Sequence, residues 1–105
     1  MKKYLITLIG KTMISISVFP IIRDNDYPTA GNVVYGMIMK NIDSVDVIDL
    51  DMKDVTLIPS MFLNTSLGRI IKEKGVSFLK TRITFSNIKV SDANRIKEYV
   101  GRYSS

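Results

Sequence analysis

Between Val45 and Gly75 the spacing of the apolar residues changes, and that change limits the folds open to the chain. From Val45 to Met52 the sequence VDVIDLDM is rich in Val, Ile and Leu and reads as a buried strand. After a polar turn, Leu63, Leu67, Ile70 and Ile71 recur at helical spacing, so an extended period gives way to a helical one and the stretch is a strand–loop–helix unit. Ser60 stands where an N-cap belongs, since its hydroxyl can accept from an orphan amide one turn on. Gly75 closes the helix after Lys72 and Lys74, which suit the negative end of its dipole.

The rest of the chain can be read outward from this unit. Tyr4 to Ile9 and Thr12 to Phe19 alternate, with Ile14, Ile16 and Val18 on one face and Ser15 and Ser17 on the other. Gly10-Lys11 between them predicts a type II′ turn and an N-terminal hairpin, which Pro20 ends by removing a ladder donor. Ile22 to Pro28 reads as a polar connection. Thr29 is expected to cap a helix whose apolar stripe is Ala30, Val33, Val34, Met37 and Ile38. Gly31 and Gly36 each weaken that helix by about 1 kcal/mol relative to Ala, which suggests a close contact against the sheet. Downstream, Phe78 to Val90 is expected to be a strand with Ile83 and Phe85 on one face and Arg82, Thr84 and Ser86 on the other. Ser91 would cap a last helix carrying Ala93, Ile96, Tyr99 and Val100, Gly101 would end it, and residues 102–105 would fray.

The expected order is β-β-α-β-α-β-α in one domain over residues 1–105: an α/β fold with a small mixed sheet and helices packed on it. A chain of 105 residues has room for one modest core. The first strands carry too many Thr, Ser and Lys for a signal or a membrane span, so a cytoplasmic location is expected.

Several chemistries are narrowed by composition. Without a cysteine there are no disulfides, thiolate nucleophiles or Cys-type zinc sites, and without a histidine the commonest general base and metal ligand are missing. No Gly-rich phosphate loop is present. The reading is therefore a non-enzymatic protein with no cofactor and no metal. Charge is uneven: residues 1–52 hold five Lys/Arg against six Asp/Glu, and residues 53–105 hold ten against four. Lys72, Lys74, Lys80, Arg82, Lys89, Arg95 and Lys97 make the second half basic, which suits nucleic acid or an acidic protein equally well. Asp49 and Asp51 fall on one side of their strand, with Asp46 on the other and Asp54 in the turn. Metal or acid–base work would need them to converge, and the simpler reading has Asp51 and Asp54 structuring the turn.

Two stretches carry a family resemblance. Leu50-Asp51-Met52-Lys53-Asp54-Val55-Thr56-Leu57-Ile58-Pro59-Ser60, followed by Leu67-Gly68-Arg69, resembles the signature of STAS domains, the fold of bacterial anti-sigma-factor antagonists. Phe78-Leu79-Lys80-Thr81-Arg82-Ile83-Thr84-Phe85-Ser86-Asn87-Ile88 is similar to a bacterial STAS-like subfamily of uncharacterised function. The resemblance covers residues 45–100, and it implies a cytoplasmic regulator without a membrane segment that docks a protein partner through Ile58, Pro59, Ser60, Met61, Phe62, Asn64, Thr65, Gly68 and Arg69. Of these, Met61, Phe62, Asn64, Thr65 and Gly68 are expected on a face the core does not need. The implied partner is an anti-sigma or histidine-kinase-like ATP-binding protein, and the implied switch is phosphorylation of Ser60. Here Pro59 stands where the family places an aspartate before that serine. The alternative reading is a nucleic-acid-associated or phage or mobile-element regulator using its basic half. A monomer or weak homodimer is expected, since the chain lacks a last strand and helix usual in STAS domains.

Overall fold

The computed structural model describes residues 3–8 and 11–103. In chain order the elements are strands β1 (Lys3–Leu8) and β2 (Lys11–Ser17), helices α1 (Phe19–Asp24) and α2 (Tyr27–Asn41), strand β3 (Val47–Asp51), helices α3 (Ser60–Thr65), α4 (Leu67–Lys74) and α5 (Val76–Arg82), strand β4 (Ile83–Ser86) and helix α6 (Val90–Gly101). The four strands form one sheet in the order β1-β2-β3-β4. β1 is antiparallel to β2, while β2, β3 and β4 run parallel, with Ile14 opposite Ile48 and Ile48 opposite Ile83. The turn between β1 and β2, including Gly10, lies outside the described residues.

Strand parity decides which face is covered. Both crossovers, β2 to β3 and β3 to β4, step in the same direction across the sheet, and crossovers of one hand then place their helices on one face. Ile14, Ile16, Ile48, Leu50 and Ile83 are buried on that face against Val34, Ile38, Leu63 and Ile70. The alternate residues Ser15, Ser17, Asp51 and Ser86 are only half-buried and Thr84 is exposed, so the second face is polar and open.

Local chemistry explains where the elements depart from expectation. Phe19–Asp24 is a helix and not the end of a strand and a loop. Pro20 lies in its first turn, where a missing N–H costs nothing, and Ile21 is buried. α2 begins at Tyr27, earlier than expected, because Asp26 and not Thr29 is the cap: its carboxylate accepts from the Thr29 N–H at 2.8 Å. That bond holds the Asp26 carboxyl below the usual carboxylate range. The single helix expected from Ser60 to Gly75 is two. At Ser66 the backbone leaves helical geometry (φ −110°, ψ −88°), with the Ser66 hydroxyl donating to Phe62 O at 2.7 Å and the Thr65 hydroxyl to Met61 O at 3.1 Å. Hydroxyls that bond back to the preceding turn weaken and bend helices, and two adjacent ones do so here. Gly75 ends α4 at φ 91°, as expected.

Phe78 to Arg82 is helical, so the expected strand shrinks to Ile83–Ser86. The guanidinium of Arg82 donates to the carbonyls of Ile42, Val45 and Asp46, anchoring the end of α5 to the turn between α2 and β3. That long-range anchor outweighs the strand preference of Val76, Phe78 and Thr81. Lys89, not Ser91, occupies the cap position of α6. Nor do Arg102 and Tyr103 fray: the Tyr103 N–H donates to Val100 O at 3.0 Å, and its ring lies 5.6 Å from that of Tyr99. Gly31 does mark a close contact, but with α3 rather than the sheet, and nothing crowds Gly36.

Candidate partner-docking surface

The surface that follows β3 is built by a turn with few alternatives. Asp51 Oδ1 accepts from the Lys53 N–H at 3.0 Å and from Asn87 Nδ2 at 2.9 Å, tying the ends of β3 and β4 together. The Val55 N–H donates to Met52 O at 3.0 Å, and Asp54 takes the left-handed conformation (φ 69°) that Asp tolerates better than most residues. Met52, Val55 and Ile58, three apart, are all buried and pin the loop to the core. The residues between them face out. Leu57 is 58% exposed, and Met61, on the first turn of α3, is 57% exposed. Beside Leu57 an open groove of about 260 Å³ runs between α1 and the loop, lined by Phe19, Ile22, Tyr27 and Val55.

The expected contact residues divide. Ser60, Met61, Asn64 and Arg69 are exposed, and Pro59 and Thr65 are half-buried. Ile58, Phe62 and Gly68 are buried, which corrects the placement of Phe62 and Gly68 on a face free of the core. α2 and α6 pack over that side of α3 and α4: a Cβ on Gly68 would lie 2.4 Å from the Tyr99 hydroxyl. Asn64 accepts from that hydroxyl at 2.8 Å. Burial, and then the hydrogen bond with Tyr103, raise the Tyr99 pKa, so the phenol stays a donor. Arg69 lies 3.7 Å over the Tyr35 ring and donates to Asn32 at 2.9 Å, so its guanidinium is committed to α2.

Ser60 is the first residue of α3 and makes no capping bond; Pro59 holds the cap position. Its hydroxyl lies 3.4 Å from the guanidinium of Arg95, which also donates to Ile58 O. Arg95 and Arg82 are therefore structural, and of the expected basic set Lys72, Lys74, Lys80, Lys89 and Lys97 remain exposed. The carboxylates do not converge. Asp51 and Asp54 belong to the turn, Asp46 accepts from the Thr12 N–H at 3.0 Å, and among the described residues no three potential metal ligands gather. Asp49, only 7% exposed, accepts from Ser15 (2.9 Å), Thr84 (2.9 Å) and Ser86 (2.6 Å) across three strands of the open face. Alternation placed these groups on one side, but the pairing of Asp49 with hydroxyls needed the register. Sequence reasoning also missed Leu57 and Tyr27 as surface apolar residues. Leu57 stands next to a buried Ile58 in an irregular loop, where no periodicity signals exposure.

Residues 30–93 match the family described as the STAS-like domain of unknown function (DUF4325). The chain belongs to this family. The STAS-like match spans α2 to the first turn of α6 and so contains the β3–α3 loop, Ser60 and the Asp49 network. No curated protein and no solved structure matches the chain. No helix among the described residues of this STAS-like domain is long and apolar enough to cross a membrane.

Proposed function

We propose that this STAS-like domain is a regulatory protein-binding module whose partner docks on the β3–α3 loop and the outer side of α3. The observation that carries the reading is the exposure of Leu57, which lines the groove with Tyr27 on a loop anchored by Asp51, Val55 and Ile58, together with that of Met61 on the first turn of α3. Apolar side chains on a fixed backbone bind with little ordering cost, and Met adapts to irregular partners. Ser60 and Asn64 form the polar margin of this surface, half-buried Pro59 leads into it, and Thr65 and Arg69 lie farther along it. Phe62, Ile58 and Gly68 support it from beneath.

The partner class follows from the STAS resemblance: an ATP-binding protein of anti-sigma or histidine-kinase-like type. Ser60 is the switch in this reading. A phosphate on its exposed hydroxyl adds close to two negative charges beside Met61, within reach of Arg95, and charge at an apolar contact disfavours docking. The nucleic-acid alternative draws less support, since Arg82 and Arg95 are spent on backbone carbonyls.

The test is affinity capture of the tagged protein from its own cells, with and without nuclease, followed by mass spectrometry of partners and of the Ser60 peptide. The expected result is a nuclease-resistant ATP-binding partner whose capture Met61→Arg abolishes and Ser60→Asp weakens. Full capture by a folded Met61→Arg variant would place the partner elsewhere, and capture that depends on nucleic acid would replace this reading with the basic-surface one.

A further inference from the structure

A second feature lies where β4 meets α5 and α6, and it shares no lining residue with the groove at the β3–α3 loop. Strand order puts β4 at the edge of the sheet. The Met52 N–H donates to Ser86 O at 2.8 Å, so the main-chain groups of Ser86, and of Thr84 two residues earlier, point toward β3. Alternation then turns the N–H and C=O of Phe85 outward, away from β3. The Ile83 N–H is already taken by Leu79 O, so among the described residues the free edge is short and centred on Phe85. Alongside it lies an open groove of about 330 Å³ between α5, β4 and α6, lined by Leu79, Ile83, Phe85, Ile96 and Val100. Lys80 and Lys97 line the same groove from α5 and α6. Among the described residues the one ion pair is Arg23–Asp24, so neither ammonium has a carboxylate partner.

We infer that β4 and this groove form a peptide-docking site that takes an extended segment of a partner protein as a fifth strand, with apolar side chains in the groove and carboxylates at Lys80 and Lys97. An added strand satisfies the outward N–H and C=O of Phe85, and every second side chain then faces the groove. The charges choose the occupant. A second copy of this chain pairing edge to edge would bring its own Lys80 and Lys97 against the same lysines, and lysines beside an edge strand act against such self-pairing. An acidic segment meets the opposite condition, and the chain's formal charge of +5 steers it inward.

The probe is a synthetic peptide, Glu-Thr-Val-Thr-Leu-Thr-Glu, whose odd positions face the groove and whose threonines face the open polar side of the sheet. Titrated into the full ¹⁵N-labelled chain, it should shift the amides of residues 79–87 and slow hydrogen exchange at the Phe85 N–H. A peptide with Lys in place of both Glu, one N-methylated at every residue from the second to the sixth so that either strand direction is blocked, and the Lys80→Glu, Lys97→Glu double variant with the parent peptide should each bind about tenfold more weakly or worse, the loss of roughly one charged or main-chain contact. Ser60→Asp and Met61→Arg should leave this binding unchanged, which separates it from the surface proposed above. The inference is overturned if the β4 amides do not move at millimolar peptide, or if the Lys peptide binds as well as the Glu peptide. Dodecanoate is the second probe. If it fills the groove while the peptide leaves Phe85 exchange unaffected, the site belongs to a small amphipathic anion and not to a strand.

Discussion

Gly31 and Gly36 lie on one helix and should respond to alanine with opposite signs. At Gly36 an added Cβ meets nothing within 4 Å, so Gly36→Ala gains only the helix preference of Ala and should stabilise the protein by about 1 kcal/mol. At Gly31 the same Cβ would lie 1.8 Å from Thr65 Oγ1 and 2.6 Å from Phe62 O. Thr65 can change rotamer, but the Phe62 oxygen belongs to the backbone of α3 and falls about 0.8 Å short of an ordinary 3.4 Å contact. Relief therefore requires α2 and α3 to separate by that order, and a gap of 0.5–1 Å forfeits roughly a quarter to a half of the dispersion energy across a contact. With overpacking costing about 1–3 kcal/mol and the helix gain returning about 1, Gly31→Ala should be destabilising by up to about 2 kcal/mol, and nearer that end given the backbone clash. Urea denaturation of both variants measures this, and in a domain of this size the expected change in Tm is about 4–8 °C per kcal/mol. Adding Thr65→Ala should recover only part of the loss, because the Phe62 carbonyl stays in place. A Gly31→Ala variant as stable as Gly36→Ala would refute the close α2–α3 contact.

Three further perturbations test other joints of the fold. Arg82→Met strips a charged donor from three carbonyls and should lower stability by about 2 kcal/mol in urea titration, with Arg82→Lys recovering less than half because a compact ammonium cannot fork between them. Equal stability of the Lys variant and the parent would show that charge alone holds the α2–β3 turn. Asp49→Ala leaves Ser15, Thr84 and Ser86 without their common acceptor and should cost about 1–3 kcal/mol, while any single hydroxyl removal should cost less; a neutral Asp49→Ala would mean water replaces the carboxylate fully. The Asp26 carboxyl, held below its unfolded value of about 3.9, contributes its capping bond fully above that pH and loses it as pH falls through the lower folded value. The stability difference between the parent and Asp26→Ala should therefore persist at neutral pH and shrink in acid, and a difference independent of pH would remove the carboxylate as the acceptor.

The residues by themselves determined the strand–loop–helix centre, the two faces of β2 and β3 and the turn role of Asp51. Each of these is local or periodic: alternation sorts Ile48 and Leu50 from Asp49 and Asp51 whatever lies opposite. Asp26, Ser66 and Arg82 show where that kind of information ends. Asp26 and Thr29 are both good caps, and the choice between them rests on where the helix must begin to bury Ala30, Val34 and Ile38. Ser66 breaks a helix that its apolar spacing would continue, because two neighbouring hydroxyls bond back to the previous turn. Residues 76–82 have strand-like composition and fold as a helix because Arg82 finds three carbonyls some 36–40 residues earlier in the chain. The candidate surface divided in the same way. Its location after β3 could be read from the residues, but whether Phe62 or Leu57 faces solvent depended on α2 and α6 covering one side of α3, and burial of that kind is set by the elements packed opposite, which only the tertiary structure supplies.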